Sequence, residues 1–142
     1  MDPTISQFIT THRVCSLTTL LPEGFPHAAA LHYSHQDNPL TFYFSTEKSS
    51  KKCQNLLDGK SSKASVVIGF SEEEWKTLQM DGEVRAILNP DELKKIKTIH
   101  YLKHSDSKQY ENDPETLFLS FTSHWWRYTD YNTDPPLIKS SG

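Results

Sequence analysis

Short stretches that alternate apolar with polar residues follow one another along most of this chain, joined mainly by turns, and that succession narrows its architecture more than any other feature. In Leu40-Thr-Phe-Tyr-Phe-Ser45 the apolar Leu40, Phe42 and Phe44 alternate with Thr41, Tyr43 and Ser45, a period of two that places one face of a strand on a core. Val14 to Leu21 is a β-branched, Thr-rich run that also reads as a strand. Pro22-Glu-Gly-Phe25 turns it into a second strand, Pro26 to Ser34, and Gln36-Asp-Asn-Pro39 turns the chain again toward Leu40–Thr46. Lys63 to Phe70, carrying Val66, Val67 and Ile68, reads as a buried strand. Trp75 to Leu88 reads as a long one, with Gly82 marking a bulge or a close backbone approach. Thr116 to Tyr128, rich in Phe, Leu, Thr and Trp, is the last. Consecutive strands of this kind favour antiparallel pairing over alternating βαβ units. The expected fold is mainly β with peripheral helices (α+β), a small β-barrel.

A helical period intrudes in three places. Asp2-Pro3 supplies a cap and a first-turn proline, followed by the stripe Ile5, Phe8, Ile9. Ser49 or Ser50 caps a short helix that carries Cys53, Leu56 and Leu57 and stops at Gly59. Asn89-Pro-Asp-Glu92 opens a longer helix with Leu93, Ile96, Ile99 and Leu102 on one stripe, running to about His104. At 142 residues the chain suits one domain, residues 1–131, with 132–142 as an extended C-terminal tail. An apolar fraction of 35% is enough to build a core.

Charge and cysteine usage exclude several classes of function. A net charge of −3 is unlike a general nucleic-acid surface, so any anion site must be local. Cys15 and Cys53 are too few for a disulfide framework and lack metal-type spacing. No apolar run approaches the roughly 18 residues of a membrane span, and the N-terminus lacks the basic-then-apolar order of a signal peptide. A cytoplasmic protein is expected, without nucleic-acid or membrane partners.

The local anion site suggests itself at Phe42–Lys52, where the strand runs into hydroxyls and lysines at a helix start. Lys48, Lys51 and Lys52 crowd a first turn where acidic residues are normally favoured, and a bound anion would remove that conflict. The competing reading is a solvated helix start with Glu47 as counter-charge. No glycine-rich nucleotide loop of the Rossmann or P-loop type is present.

In their order, these segments resemble the FMN-binding split-barrel family typified by pyridoxamine 5′-phosphate oxidases. Leu21-Pro-Glu-Gly-Phe-Pro-His-Ala-Ala-Ala30 resembles the family's first hairpin, and Phe42-Tyr-Phe-Ser-Thr46 with Ser49-Ser-Lys-Lys52 its strand and phosphate segment. Lys63–Ile68 resembles the next core strand, and Leu78-Gln-Met-Asp-Gly-Glu-Val-Arg85 the long strand. The resemblance implies a homodimer with FMN at the subunit interface and a small-molecule substrate it does not identify. Ser45 and Thr46 would meet the phosphate and ribityl region, while Ser50, Lys51 and Lys52 would bond and neutralise the phosphate. Ala29, Ala30, Leu31 and His32 would run their backbone past the flavin ring, and Gln79 would add a contact from the long strand. Two departures matter. Ala28-Ala-Ala30 stands where the oxidases carry an arginine for the phosphate, and His124-Trp-Trp-Arg-Tyr-Thr-Asp130 lacks their Arg-x-His substrate pattern. Pyridoxamine-phosphate oxidation is therefore not expected, and an FMN-dependent oxidoreductase of another small molecule is the leading reading. Its rivals are a non-catalytic binder of the same fold (an FMN carrier or sensor, or a haem or deazaflavin protein) and a cofactor-free dimeric interaction protein.

If a flavin binds, it carries the electrons, so no protein nucleophile need appear. Histidines 27, 32 and 35 lie near the flavin strand, either as a hydrogen-bond donor to the ring or as rim residues of a hairpin. His100 and His104 have the i,i+4 spacing of paired metal ligands but no third ligand or base motif, and no metal is expected. Adjacent Trp125 and Trp126 must face opposite sides of their strand.

Overall fold

The computed structural model describes residues 1–142. Helix α1 (Pro3–Thr11) starts where Asp2 Oδ1 accepts the Thr4 N–H at 2.8 Å, and it buries Ile5, Phe8 and Ile9. Strand β1 (Val14–Leu20) and β2 (Pro26–His32) form the expected hairpin, with Val14 opposite His32 and Leu20 opposite Pro26. The second expected strand breaks at buried Tyr33, whose hydroxyl donates to Ile9 O at 2.6 Å, and a short β3 (Ser34–Gln36) follows. Then come β4 (Thr41–Glu47), β5 (Ser62–Ile68) and β6 (Lys76–Ala86). Helix α2 spans Pro90–Lys103, and β7 (Thr116–Asp130) and β8 (Leu137–Ser140) complete the chain.

All eight strands belong to one antiparallel sheet in the order β2-β1-β5-β6-β7-β4-β3, with β8 beside β7. Strand β7 serves both sides. One edge pairs with β6 over its length, while the other holds β4 along Thr116–Thr122 and β8 along Arg127–Asp130. The sheet curls until β2 and β4 face each other across an unpaired seam, a split barrel with peripheral helices. Its interior holds Leu17, Phe42, Phe44, Val66, Ile68, Leu78 and Phe121, each fully buried. Helix α1 closes onto this cluster, while α2 packs Ile96 beside Tyr43, Ile87 and Phe118.

Two expectations need correction. The segment after β4 is not an α-helix but a 3-10 turn at Lys51–Cys53 followed by further turns. Its backbone bonds all span three residues (Cys53 N–H to Ser50 O, Gln54 N–H to Lys51 O, Leu56 N–H to Cys53 O), and only Cys53 and Leu56 reach the core. Leu57 is exposed, so the third apolar contact of the expected helix is missing. The second correction concerns the tail. Leu137–Ser140 pairs with β7, and Lys139 Nζ reaches Asp2 Oδ2 at 2.8 Å. This edge strand has no buried face, hence no alternation to read.

The longer helix forms as its cap specifies, with Asn89 Oδ1 accepting the N–H groups of Asp91 and Glu92 at 2.9 and 3.0 Å. Replacing Asn89 by Ala should cost about 1 kcal/mol, read as a lower urea midpoint with an unchanged m-value.

Candidate functional site

A polar cleft of about 770 Å³ follows the seam between β2 and β4. Ala30, Leu31 and His32 line one wall from β2. Ser45, Thr46 and Glu47 line the floor from β4, and Ser49, Ser50 and Lys52 come from the turn after it. The remaining side is made by His100 of α2 and by Ser107, Tyr110, Asp113, Glu115 and Thr116. Its size falls within the range of small-molecule and cofactor sites, roughly 300–1,000 Å³.

Hydroxyl groups dominate this lining, and several have no partner. The side chains of Ser45, Thr46 and Ser49 make no hydrogen bond within the chain, whereas Ser50 Oγ donates to Glu47 O at 2.7 Å and accepts from Lys52 Nζ at 3.0 Å. Lys52 keeps two further N–H donors. Its backbone is pinned by Thr19, whose Oγ1 donates to Lys52 O at 3.1 Å. Glu47, Asp113 and Glu115 are exposed residues of the lining, with Glu47 O accepting from Ser50 Oγ and Glu115 O from the Lys48 N–H. Lys52, on the turn at one end of the cleft, is the one lysine of the lining.

The other end is built from imidazoles. His104 uses both nitrogens, Nε2–H donating to Tyr33 O at 2.7 Å and Nδ1 accepting from Arg13 at 3.2 Å, so its ring is neutral. His100 lies against it at 4.9 Å between centroids with the rings tilted by 42°, His32 meets it edge-on at 5.2 Å, and His100 Nδ1 shares a 2.8 Å bond with Ser34 Oγ. Burial, then the neighbouring His104, His32 and Lys103, push His100 down to about 4. Because the unfolded chain binds this proton near pH 6.5 and the folded one does not, stability is complete above pH 6.5 and drains away as pH falls toward 4. Between pH 7 and 5 the loss from this group should be roughly 2 kcal/mol, and His100→Gln should flatten that part of the Tm-versus-pH curve.

Of the residues singled out from the sequence, Ala30, Leu31, His32, Ser45, Thr46, Ser50 and Lys52 meet in this cleft. Ala29 is half-buried on β2 and does not line it, and Lys51 is exposed and points elsewhere on the turn. Gln79 is exposed on β6, separated from β4 by β7 and from β2 by β1 and β5. The dipole argument at Lys48–Lys52 lapses with the helix, leaving side-chain donors. Ser49, His100 and Thr116 join the site as well. Ser49 stood within the quoted Ser49–Lys52 segment, and only the i,i+4 spacing with His104 hinted at His100. Arg85 is occupied by a two-pronged pair with Glu92 at 2.9 and 2.5 Å, and Arg127 lies 5.8 Å from the Trp125 ring.

A second depression, about 540 Å³, lies over the Gly82 bulge. Most of its polar side chains are already paired, Ser65 with Asp81 at 2.9 Å, His124 with Glu83 at 3.1 Å and Thr19 with Lys52 O at 3.1 Å. The seam cleft is thus the better candidate site.

A family model described as pyridoxamine 5′-phosphate oxidase matches residues 1–130. No curated protein matches the chain. Among solved structures, a haem-binding protein from Mycobacterium smegmatis superposes with a TM-score of 0.74 at 18% identity, covering 99% of this chain and 59% of that one. This chain thus spans under two thirds of that protein's length. A protein from Clostridium acetobutylicum related to general stress protein 26, of the pyridoxine-phosphate oxidase family, gives 0.72 at 16% identity, covering 97% and 92%. The haem storage protein of Vibrio cholerae gives 0.65 at 13% identity, covering 87% and 89%. At these identities the likeness is one of fold.

Proposed function

The chain belongs to the pyridoxamine 5′-phosphate oxidase family, and from that premise we propose that it is an FMN-binding flavoprotein acting on a small molecule. The observation that carries this reading is the set of unpartnered hydroxyls, Ser45, Thr46 and Ser49, beside Lys52 in a cleft of cofactor size. That donor set fits a ribityl phosphate. Hydroxyls suit the polyol, and the ammonium suits the phosphate as a point charge. Ser50 and Lys52 would hold the phosphate, Ser45 and Thr46 the ribityl chain, and the β2 wall from Ala30 to His32 would lie along the ring system. Bound there, FMN supplies hydride and electron transfer, while the chain orients the ring and limits water. No helix of the structure is long and apolar enough to cross a membrane. A second copy facing the seam would complete the site and place Gln79 within its reach, and cytoplasmic location fits a flavoprotein of this kind.

Haem is the second reading, favoured by two structural neighbours, a haem-binding and a haem storage protein, and by His32 and His100 on the cleft wall. Against it stands the lining itself, in which serine and threonine hydroxyls outnumber aliphatic side chains. The absorption spectrum of the purified protein, followed by FMN and haemin titrations, separates the two. Two broad visible and near-ultraviolet bands with saturable FMN binding are expected. A Soret band with no FMN binding would overturn the flavin reading.

A further inference from the structure

His100 is 1% exposed, yet one of its nitrogens is idle. Nδ1 is paired with Ser34, which is itself buried, and Nε2 has no partner in the chain. Nor is Nε2 sealed away from solvent, because the only sealed side-chain nitrogen or oxygen without a partner is the Tyr101 hydroxyl. His100 is one of the residues that line the seam cleft, and Nε2 is its one side-chain nitrogen without a partner in the chain. A histidine retained for packing alone has a model next to it in His104, which uses both nitrogens.

Position along the cleft indicates what this nitrogen meets. Thr19 lies opposite His27 in the β1–β2 hairpin and ties down Lys52, so the Ser50–Lys52 turn sits at the start of β2. His32, at the far end of β2, packs beside the His100–His104 pair. Five residues of extended strand separate the two ends, about 16 Å. A neutral imidazole makes one hydrogen bond there without drawing in an anion, which leaves the phosphate to Lys52.

We propose that His100 is a ligand-contacting residue of this cleft, its Nε2 hydrogen-bonding the polar edge of a heterocycle whose anionic tail is held at Ser50–Lys52. This rests on the flavin reading, in which the edge is the pyrimidine-dione side of the flavin ring. Serine 34 acts behind it as a positioning residue that fixes the imidazole's orientation.

The test titrates the native protein and the His100→Leu and His100→Gln variants with FMN and with riboflavin, which has the same ring and no phosphate. His100→Leu should weaken both ligands by about tenfold and alter the bound flavin spectrum, and His100→Gln should restore part of the affinity. Native-like binding of both ligands by His100→Leu overturns this inference alone, whereas a native protein that binds neither overturns the flavin reading along with it. Should the variants fail to fold, 15N-histidine spectra of the native protein decide the matter. FMN should shift the His100 Nε2 resonance and leave that of His104 in place; an unmoved His100 signal overturns the contact.

Discussion

Replacing Gly82 by Ala is expected to destabilise the protein by about 3–5 kcal/mol, among the largest effects a single methyl can have. Between Asp81 and Gly82 the β6–β7 register slips, so that Asp81 faces Trp125 while Gly82 faces Ser123. A Cβ at Gly82 would lie 1.9 Å from Thr122 O and 3.1 Å from the Phe121 ring. The first contact is with backbone in the most extensively paired strand of the sheet, so relief requires opening the ladder that carries β6, β4 and β8. For 142 residues the fall in Tm should be about 10–15 °C. Gly24→Ala is the internal control. Gly24 has the left-handed backbone that Gly82 lacks (φ +94°), but nothing lies within 4 Å of its Cβ, so only the conformational cost of about 1 kcal/mol should appear. If thermal melts show equal losses for the two variants, the bulge is not what makes Gly82 necessary.

The same glycine shows what was legible in the sequence. A lone Gly within the alternation of Leu78, Met80 and Val84 is a gap in an otherwise regular pattern, and such a gap has few explanations in a strand. Elements with one buried face announced themselves in that way, as did α1 and α2 through Asp2-Pro3 and Asn89-Pro90. Strand β8 did not. Its residues are exposed or half-exposed, and what holds them is the second half of β7, more than a period-two pattern can report. The turn after β4 misled because Cys53 and Leu56 are three residues apart, a spacing common to the α and 3-10 forms, and only the third contact at Leu57 separates them.

For the site the division is similar. Ser45, Thr46, Ser50 and Lys52 are close in sequence and were legible as a cluster of donors. Whether Ala30 to His32 would meet them depended on how far the sheet curls, because β2 and β4 share no ladder. The part least visible was His100. Its significance lies in the absence of a partner for one nitrogen of a buried ring, and partner counts exist only once α2 is packed against Ser34 and His104.

The largest expected effect on binding belongs to Lys52. It is the one lysine lining the cleft, and Thr19 fixes its backbone while Ser50 fixes its ammonium. With Ala28–Ala30 on β2, that strand would offer no second cation to the phosphate of the proposed FMN. A hydrogen-bonded charge pair is worth about 1.5–3 kcal/mol, so Lys52→Ala should weaken FMN by about 10–100-fold. Riboflavin, having no phosphate, should bind the variant as it binds the native protein. Lys51→Ala should change neither ligand by more than about threefold, because its side chain is exposed outside the cleft and interacts through solvent. The salt dependence supplies an independent check. FMN affinity of the native protein should fall with ionic strength and that of Lys52→Ala should fall less. If Lys51→Ala is instead the damaging substitution, the phosphate lies on the outer side of the turn and the seam cleft is not its site.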